Sequence, residues 1–233
     1  MKGAPPARRV AWRKTYRIIP SRYPPIALFE RVADPADWDG IVEIESLTNE
    51  RIRDEIGEIA RVPPEQRVSG PGASWVMAAF VHAALPSRFS DGSYGVYYTA
   101  HTRDCAIAET TYHWGRFLAA TSEPATDVTM RVLVASLNAA LHDIRRATAR
   151  YRAVYARDDY TAGQALGRAL RSARSNGIVY DSVRLAKGEC AAAFRPRVIS
   201  RLPDGNDYLV YHWSGARIER VFDYENCAWA TLS

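Results

Sequence analysis

The last quarter of the chain most constrains the fold, because segments with strand character follow one another there without a helical pattern between them. The predicted strands cover residues 178–185, 190–194, 207–213 and 218–224. Ser214-Gly215, between the last two, is a hairpin signal. Antiparallel strands can be joined by short turns, whereas parallel strands need long and usually helical crossovers. The sequence therefore predicts an α+β fold with a mixed, largely antiparallel sheet as its core and flanking helices.

Hydrophobic periodicity predicts further elements upstream of these strands. They are strands over 95–100 and 128–135, and helices over 102–118, 137–156 and 160–175. Thr102 is of a residue type that caps helix N-termini, and Asn176-Gly177 is typical of a helix end. The helix over 137–156 is predicted because its apolar residues recur at steps of three and four and form a single stripe.

We expect residues 1–85 to form an N-terminal extension, helical and irregular, packed on a domain over 86–233. Its first thirty or so residues are rich in Pro and Arg, and we expect them to cross the main body as strand-like or irregular pieces. Apolar spacing then favours a helix from Trp38 to Ile59. The segment 75–84 is apolar on nearly all sides and is expected to be buried.

The chain has 31 lysines and arginines against 26 acidic residues, a formal net charge of +5. The arginines are scattered, however, and no dense basic run is interleaved with aromatics, so we expect no direct nucleic-acid binding. Arg145, Arg146, Arg150 and Arg152 fall on the predicted helix over 137–156, where a solvated face is the simpler interpretation. No apolar run reaches membrane-spanning length and no apolar signal segment opens the chain, which predicts a cytoplasmic protein without membrane contact.

Cysteine and histidine spacing gives little support to a metal site. Cys105, Cys190 and Cys227 are odd in number and far apart, and we expect them to be small buried thiols of a reducing compartment. The five histidines include no His-x-x-x-His pair, so no metal is expected.

Four polar residues stand in a recognisable order. Arg88 precedes an aromatic residue, Tyr98 ends an apolar strand, Glu109 follows in an Ala-rich helix, and Ser182 directly precedes Val-Arg. With the segment 188–196, this order resembles the RES domain, a bacterial toxin family named for its Arg, Glu and Ser.

The resemblance covers the C-terminal two thirds of the chain and extends less specifically to residues 12–20. Ser87 stands where the family usually has glycine, and Phe-Ser follows Arg88 where Trp-Asn is commoner. These departures put substrate contacts at the rim of a site in doubt.

The resemblance implies an architecture similar to ADP-ribosyltransferases and a toxin that cleaves the nicotinamide–ribose bond of NAD, with water or phosphate as acceptor. NAD is then the substrate, and no further cofactor is required. It also implies neutralisation by a cognate Xre-type antitoxin with a helix-turn-helix part, and a homo-oligomer in that complex. Transfer of ADP-ribose to a protein is the alternative within the same chemistry. Outside that chemistry, the chain could be a basic nucleic-acid-binding module or a RES-like scaffold that has lost its activity.

Glu109 is the candidate catalytic carboxylate. Nicotinamide leaves NAD as a neutral molecule and needs no acid, so one carboxylate that stabilises the cationic ribose can suffice. Glu109 is the only acidic residue between Asp104 and Glu123. The alternative is an exposed helical glutamate.

The other family positions suit the binding of NAD. A guanidinium fork at Arg88 can bind the diphosphate, unless Arg88 is a surface residue in a turn beside Asp91. Tyr98 can stack on the nicotinamide, although either Tyr98 or its neighbour Tyr97 is expected in the core because successive strand residues face opposite sides. Ser182 can bind a phosphate or the ribose, orient Glu109, or merely bond locally. Additional candidates are His113 and Trp114 as pocket lining or core, and Arg17 and Arg53 as sources of positive potential.

Overall fold

The protein is described by a computed structural model that covers residues 4–23, 29–30, 34–36, 38–40, 58–82 and 85–232. Its strands are β1 (Ala7–Pro20), β2 (Tyr97–Ala100), β3 (Thr126–Asp143), β4 (Gly177–Asp181), β5 (Glu189–Ala193), β6 (Ile199–Trp213), β7 (Ile218–Asp223) and β8 (Ala228–Thr231). The helices described over their whole length are α1 (Ala73–Val81), α2 (Arg103–Ala120) and α3 (Thr161–Ser172), with 3-10 turns at Ile59–Arg61, Pro64–Gln66 and Pro196–Val198.

The strands form one mixed sheet in the order β1-β2-β5-β4-β3-β6-β7-β8. Only the β3–β4 pair, among the strands described, is parallel; the other pairs are antiparallel. The predicted α+β class with a largely antiparallel sheet is confirmed.

Strand β1 closes part of this sheet into a ring. It pairs with β3 from Ala7 opposite His142 to Pro20 opposite Met130, and it also pairs with β2 at Tyr16 opposite Ala100. Residues 7–20 are therefore a central part of the sheet, while a domain division at residue 85 stays a prediction.

Side chains alternate between the two faces of the sheet, and each face carries its own apolar cluster. On one face, Val179, Ala191 and Tyr97 pack with α1. On the other face, Ile178, Cys190 and their neighbours pack with α2 and α3. The segment expected to be buried over 75–84 is largely accounted for by α1, which is buried along most of its length.

The predicted helix over 137–156 is wrong. Residues 137–143 continue β3, and residues up to 155 form turns. Leu137 and Leu141 are four residues apart, a spacing that places side chains on one face of a strand as well as of a helix, and pairing with β1 selects the strand. The arginines assigned to a helix face are accordingly in turns; Arg146 adopts a positive φ of 57°.

Other sequence predictions differ in extent. β3 and β6 are longer than predicted, and no strand was predicted where β8 lies. Residues 41–57, most of the helix predicted from Trp38 to Ile59, lie outside the described residues. Cys105 and Cys190 are buried as expected, but Cys227 is exposed because it lies in the turn between β7 and β8.

Helix α3 approaches the turn at 88–89 so closely that only glycine fits at the contact. A Cβ on Gly163 would lie 2.3 Å from the Arg88 carbonyl oxygen, and one on Gly167 would lie 2.1 Å from the Phe89 carbonyl oxygen. These two glycines, one helical turn apart, bring α3 against the backbone on which Arg88 is carried.

We expect Gly167→Ala to lower the free energy of unfolding by about 1–3 kcal/mol, because the added methyl group overpacks this contact although alanine favours helices. The matched control is Gly115→Ala in α2, where a Cβ meets nothing within 4 Å. That variant should be more stable than wild type by up to about 1 kcal/mol. Urea unfolding of both variants measures the difference, and equal effects would contradict the close approach of α3.

Candidate active site

Helix α2 begins where the sequence predicts and carries Glu109 on its second turn. The Thr102 side chain accepts a hydrogen bond from the Cys105 backbone N–H at 3.3 Å, which confirms the predicted N-cap. The Glu109 side chain is 19% exposed, so the carboxylate is neither a surface group nor sealed from solvent.

Ser182 holds this carboxylate. Its Oγ donates a hydrogen bond to Glu109 Oε1 at 2.5 Å, and it accepts hydrogen bonds from the backbone N–H groups of Arg184 and Leu185, both at 3.0 Å. Because those two donors use the acceptor capacity of the hydroxyl, its single proton is directed to Glu109. Ser182 thus both bonds locally and orients the carboxylate, two of the possibilities that the sequence left open.

Tyr98 faces the same side of the sheet as α2. Its hydroxyl accepts a hydrogen bond from the Phe89 backbone N–H at 2.9 Å and shares another with Ser87 Oγ at 2.9 Å. Tyr97 points to the opposite face and is fully buried beside α1. Burial raises the pKa of Tyr97 to about 12, an effect opposed by Arg17. Of the two tyrosines, Tyr98 is therefore the one on the α2 side of the sheet, while its role in binding stays a prediction.

Arg88 is a buried residue, not a surface arginine paired with Asp91. Its side chain is only slightly exposed, and Asp91 pairs instead with Arg168. Arg88 Nη1 donates to the carbonyl oxygens of Val154 and Ala156, both at 2.8 Å, and its guanidinium carbon lies 4.8 Å from the centre of the Tyr160 ring. In the part of the chain that the structure describes, these hydrogen bonds all come from Nη1, so Nε and Nη2 have no hydrogen-bond partner among those residues.

Tyr180 connects these groups, and the sequence interpretation missed it. It lies on β4 in edge-to-face contact with Phe89, at 5.1 Å between ring centres. Burial raises the pKa of Tyr180 well above its usual value, the nearby charges of Cys190, Glu109 and Tyr98 raise it further, and Arg88 opposes them. Tyr180 therefore lies within electrostatic reach of three of the four predicted residues. The sequence offered one signal for Tyr180: it precedes Ser182 by two residues, and residues i and i+2 of a strand lie on the same face.

His113 lies one helical turn beyond Glu109, with Nε2 at 3.9 Å from Glu109 Oε2. Partial burial lowers the pKa of His113 to about 4, with further lowering by the charges of Arg184, Arg88 and Arg116. The imidazole is 53% exposed, so it belongs to the rim of the site. Trp114 instead packs against the core.

The remaining arginine candidates differ in position. Arg17 is half-buried with its guanidinium over the Tyr97 ring, donates to the Tyr98 carbonyl oxygen at 3.1 Å, and has a pKa lowered by desolvation. Arg53 lies outside the described residues. Arg184, which no sequence argument selected, stacks 3.3 Å from the centre of the Tyr112 ring and is 4% exposed.

A cavity of about 560 Å³ lies elsewhere, between Arg61, Tyr94 and Arg171, and none of the four predicted residues lines it. The chemistry favours the Glu109 cluster, because there a partly buried carboxylate is held by an ordered hydroxyl and lies beside His113, on which the charges of three arginines act. Across the described residues no group of three or more His, Cys, Asp or Glu side chains is placed to hold a metal ion. Those same residues include no helix long and apolar enough to cross a membrane.

Comparison with known proteins identifies the class. The family model of the RES domain matches residues 64–214. Since this match covers more than half of the chain, the protein belongs to the RES domain family.

Two similar proteins extend the comparison. The uncharacterized protein y4oC of Sinorhizobium fredii is 27% identical over 213 residues, which cover 91% of this chain and 87% of that protein. A chain of the MbcT–MbcA toxin–antitoxin complex of M. tuberculosis superimposes with a TM-score of 0.48 and 13% identity over 90% of this chain and 88% of that chain. At that score the structural likeness supports no inference about function.

We expect the His113 resonances to titrate near pH 4 in the folded protein, as measured by NMR. The pKa of histidine in the unfolded chain is about 6.5. Between this pH and the lower pKa of the folded protein, the unfolded state binds a proton that the folded state does not. The contribution of His113 to the free energy of unfolding should therefore decrease as the pH falls from about 6.5 towards 4.

Arg116→Gln removes one of the positive charges that act on His113 and should raise its pKa. The exposed Arg152, which is not among those charges, provides the control variant Arg152→Gln. A His113 pKa at or above the ordinary value for histidine would contradict the lowering of this pKa by the nearby arginines.

Proposed function

We propose that this RES domain protein is the toxin of a toxin–antitoxin pair and cleaves the nicotinamide–ribose bond of NAD. The observation that carries the proposal is the Glu109 carboxylate, which is fixed by Ser182 and lies beside His113, where the charges of Arg184 and Arg88 act. Family membership supports the toxin class, and the side-chain geometry supports the reaction.

The charge distribution suits a dianionic ligand. The charges of Arg184, Arg88 and Arg116 all lower the pKa of His113, so these arginines contribute positive potential one helical turn from Glu109. NAD carries a diphosphate, and guanidinium groups bind such oxygens with charge-assisted hydrogen bonds. Arg88 has the geometry for this role because Nη1 is anchored to two carbonyl oxygens while the rest of the fork is free to bind.

The carboxylate suits the cationic character of the reacting ribose. As the nicotinamide departs, positive charge develops on the sugar, and a preorganised carboxylate stabilises that charge. Ser182 engages Oε1, so Oε2 remains to face the sugar. The proposed step needs only side chains, with NAD as substrate and no further cofactor.

Tyr98 has two roles in this proposal: its ring lines the site, and its hydroxyl supports the turn that carries Arg88. Its hydroxyl holds the backbone N–H of Phe89 and thereby the turn that carries Arg88. Its ring remains to stack on the nicotinamide. Tyr180, fixed against Phe89, completes the aromatic wall.

The partner is proposed from the family alone: a small Xre-type antitoxin with a helix-turn-helix part that blocks the site, bound to a toxin oligomer in the cytoplasm. Water or phosphate is the proposed acceptor of the ADP-ribose. ADP-ribose attached to a cellular protein, with total NAD unchanged, would identify the transferase alternative.

Glu109→Gln tests the reaction. The substitution keeps the shape and a partner for Ser182 but removes the charge, so nicotinamide release should fall by about a hundred- to a thousandfold. Binding of NAD should be much less affected, because this stabilisation exists mainly in the transition state. The variant should also fail to arrest growth or deplete NAD in cells.

The matched control is Glu123→Gln, an exposed carboxylate just beyond the same helix, which should behave as wild type. Both proteins are compared by circular dichroism before assay. If Glu109→Gln retains more than about a tenth of the activity, against the expected hundredfold loss, the single-carboxylate reaction is wrong.

Arg88→Lys tests the binding of the diphosphate. A lysine keeps the charge but cannot anchor to two carbonyl oxygens and still present a planar fork, so turnover at low NAD should fall by roughly ten- to a hundredfold. Arg168→Lys is the control, because the exposed Arg168 pairs with Asp91 outside the cluster. A rise in KM with kcat preserved would agree with a role in binding, and unchanged turnover would remove Arg88 from the site.

A further inference from the structure

Two buried cysteines meet beside the catalytic cluster. Cys105 lies in the first turn of α2 and Cys190 on β5, and their Sγ atoms are 3.6 Å apart. Both are free thiols with almost no solvent exposure. Neither has a role in the proposed cleavage of NAD.

Both sulfurs contact the groups that hold the carboxylate. Cys190 Sγ lies 3.8 Å from Glu109 Oε1, the oxygen that also accepts the Ser182 hydrogen bond. Cys105 supports the loop that follows Ser182, because a Cβ on Gly188 would lie only 2.7 Å from Cys105 Sγ. Movement of either sulfur therefore disturbs the carboxylate or the loop.

We propose that Cys105 and Cys190 are a modification site at which hydrogen peroxide forms an intrachain disulfide that displaces the Glu109–Ser182 contact. The consequence for NAD cleavage rests on the proposed function, whereas disulfide formation and its effect on the loop do not.

Cys105 is the attacking thiol. The hydrogen bond from Cys190 lowers the pKa of Cys105 against the effect of burial. The same hydrogen bond raises the pKa of Cys190 well above its usual value. A position in the first turn of a helix also favours the thiolate.

The reaction proceeds in two balanced steps. The Cys105 thiolate attacks one peroxide oxygen, the O–O bond breaks, and the departing hydroxide takes a proton to leave as water, which yields a sulfenic acid. Cys190 then attacks the Cys105 sulfur, the S–O bond breaks, and the hydroxyl leaves as water with the thiol proton. Two thiols and one peroxide give one disulfide and two waters.

The geometry favours this intrachain product. Closing the sulfur distance from 3.6 Å to the length of a disulfide moves the sulfurs by roughly 1.5 Å in total. Cys190 must then retreat from Glu109, or Cys105 from the Gly188 loop. Close packing at Gly188 leaves no room for a bulky thiol adduct on Cys105.

The experiment uses the full chain with Cys227→Ser, which removes the exposed thiol and so prevents disulfides between chains. After treatment with hydrogen peroxide, intact mass should show the loss of two hydrogen atoms, and peptide mapping should link Cys105 to Cys190. The matched control adds Cys190→Ala and should show neither change. Dithiothreitol should reverse the modification.

Two further measurements report its consequence. Amide exchange at Arg184 and Leu185, whose N–H groups bind Ser182 Oγ, should accelerate by up to about tenfold in the oxidised protein. Nicotinamide release should fall by roughly ten- to a hundredfold, because a shift on the order of 1 Å misplaces the carboxylate.

Each outcome decides a separate question. If no disulfide forms at a peroxide concentration that fully oxidises Cys227 in the wild-type chain, the modification site is wrong. A disulfide without faster exchange at these amides would refute its link to Ser182. A disulfide with faster exchange in a protein whose reduced form releases no nicotinamide would support this site while refuting the proposed function.

Discussion

The hydrogen bond from Ser182 Oγ to Glu109 Oε1 joins α2 to the end of β4 and fixes the chemistry of the cluster. A carboxylate held among apolar helix residues is costly unless it is hydrogen-bonded. Ser182 satisfies one oxygen, and the backbone N–H groups of Arg184 and Leu185 direct its proton there. The backbone of the loop after β4 therefore fixes Ser182 by hydrogen bonds, and Ser182 in turn fixes Glu109.

Arginines around this bond give the cluster its charge and part of its rigidity. Arg88 ties the turn that carries it to the carbonyl oxygens of Val154 and Ala156, and α3 reaches the same turn through its two glycines. A buried guanidinium with such partners is preorganised, so little side-chain entropy remains to be lost when an anion binds. The anion binding proposed for Arg88 and its structural support of the turn are thus combined in one residue.

Local signals predicted the elements with unambiguous periodicity or caps. Three parts of the fold were predictable because each depends on residues close together in sequence. They are the helix that begins after Thr102, helix α3 with its end before Gly177, and the closing antiparallel strands. The prediction of a helix over 137–156 failed because apolar residues four apart fit both helical and strand spacing. Pairing with the distant strand β1 selects the strand for residues 137–143.

The sequence alone determined the order of candidate residues and the antiparallel character of the closing sheet, since both follow from residue type and spacing. Tertiary structure decided which of Tyr97 and Tyr98 faces Glu109, that Arg88 is buried, and that Tyr180 and the pair Cys105 and Cys190 border the carboxylate. These are contacts between residues up to about a hundred positions apart, and they depend on strand register. A register shift of one residue would turn each of these strand side chains to the other face, and the hydrophobic pattern does not encode that choice here because both faces of the sheet are buried.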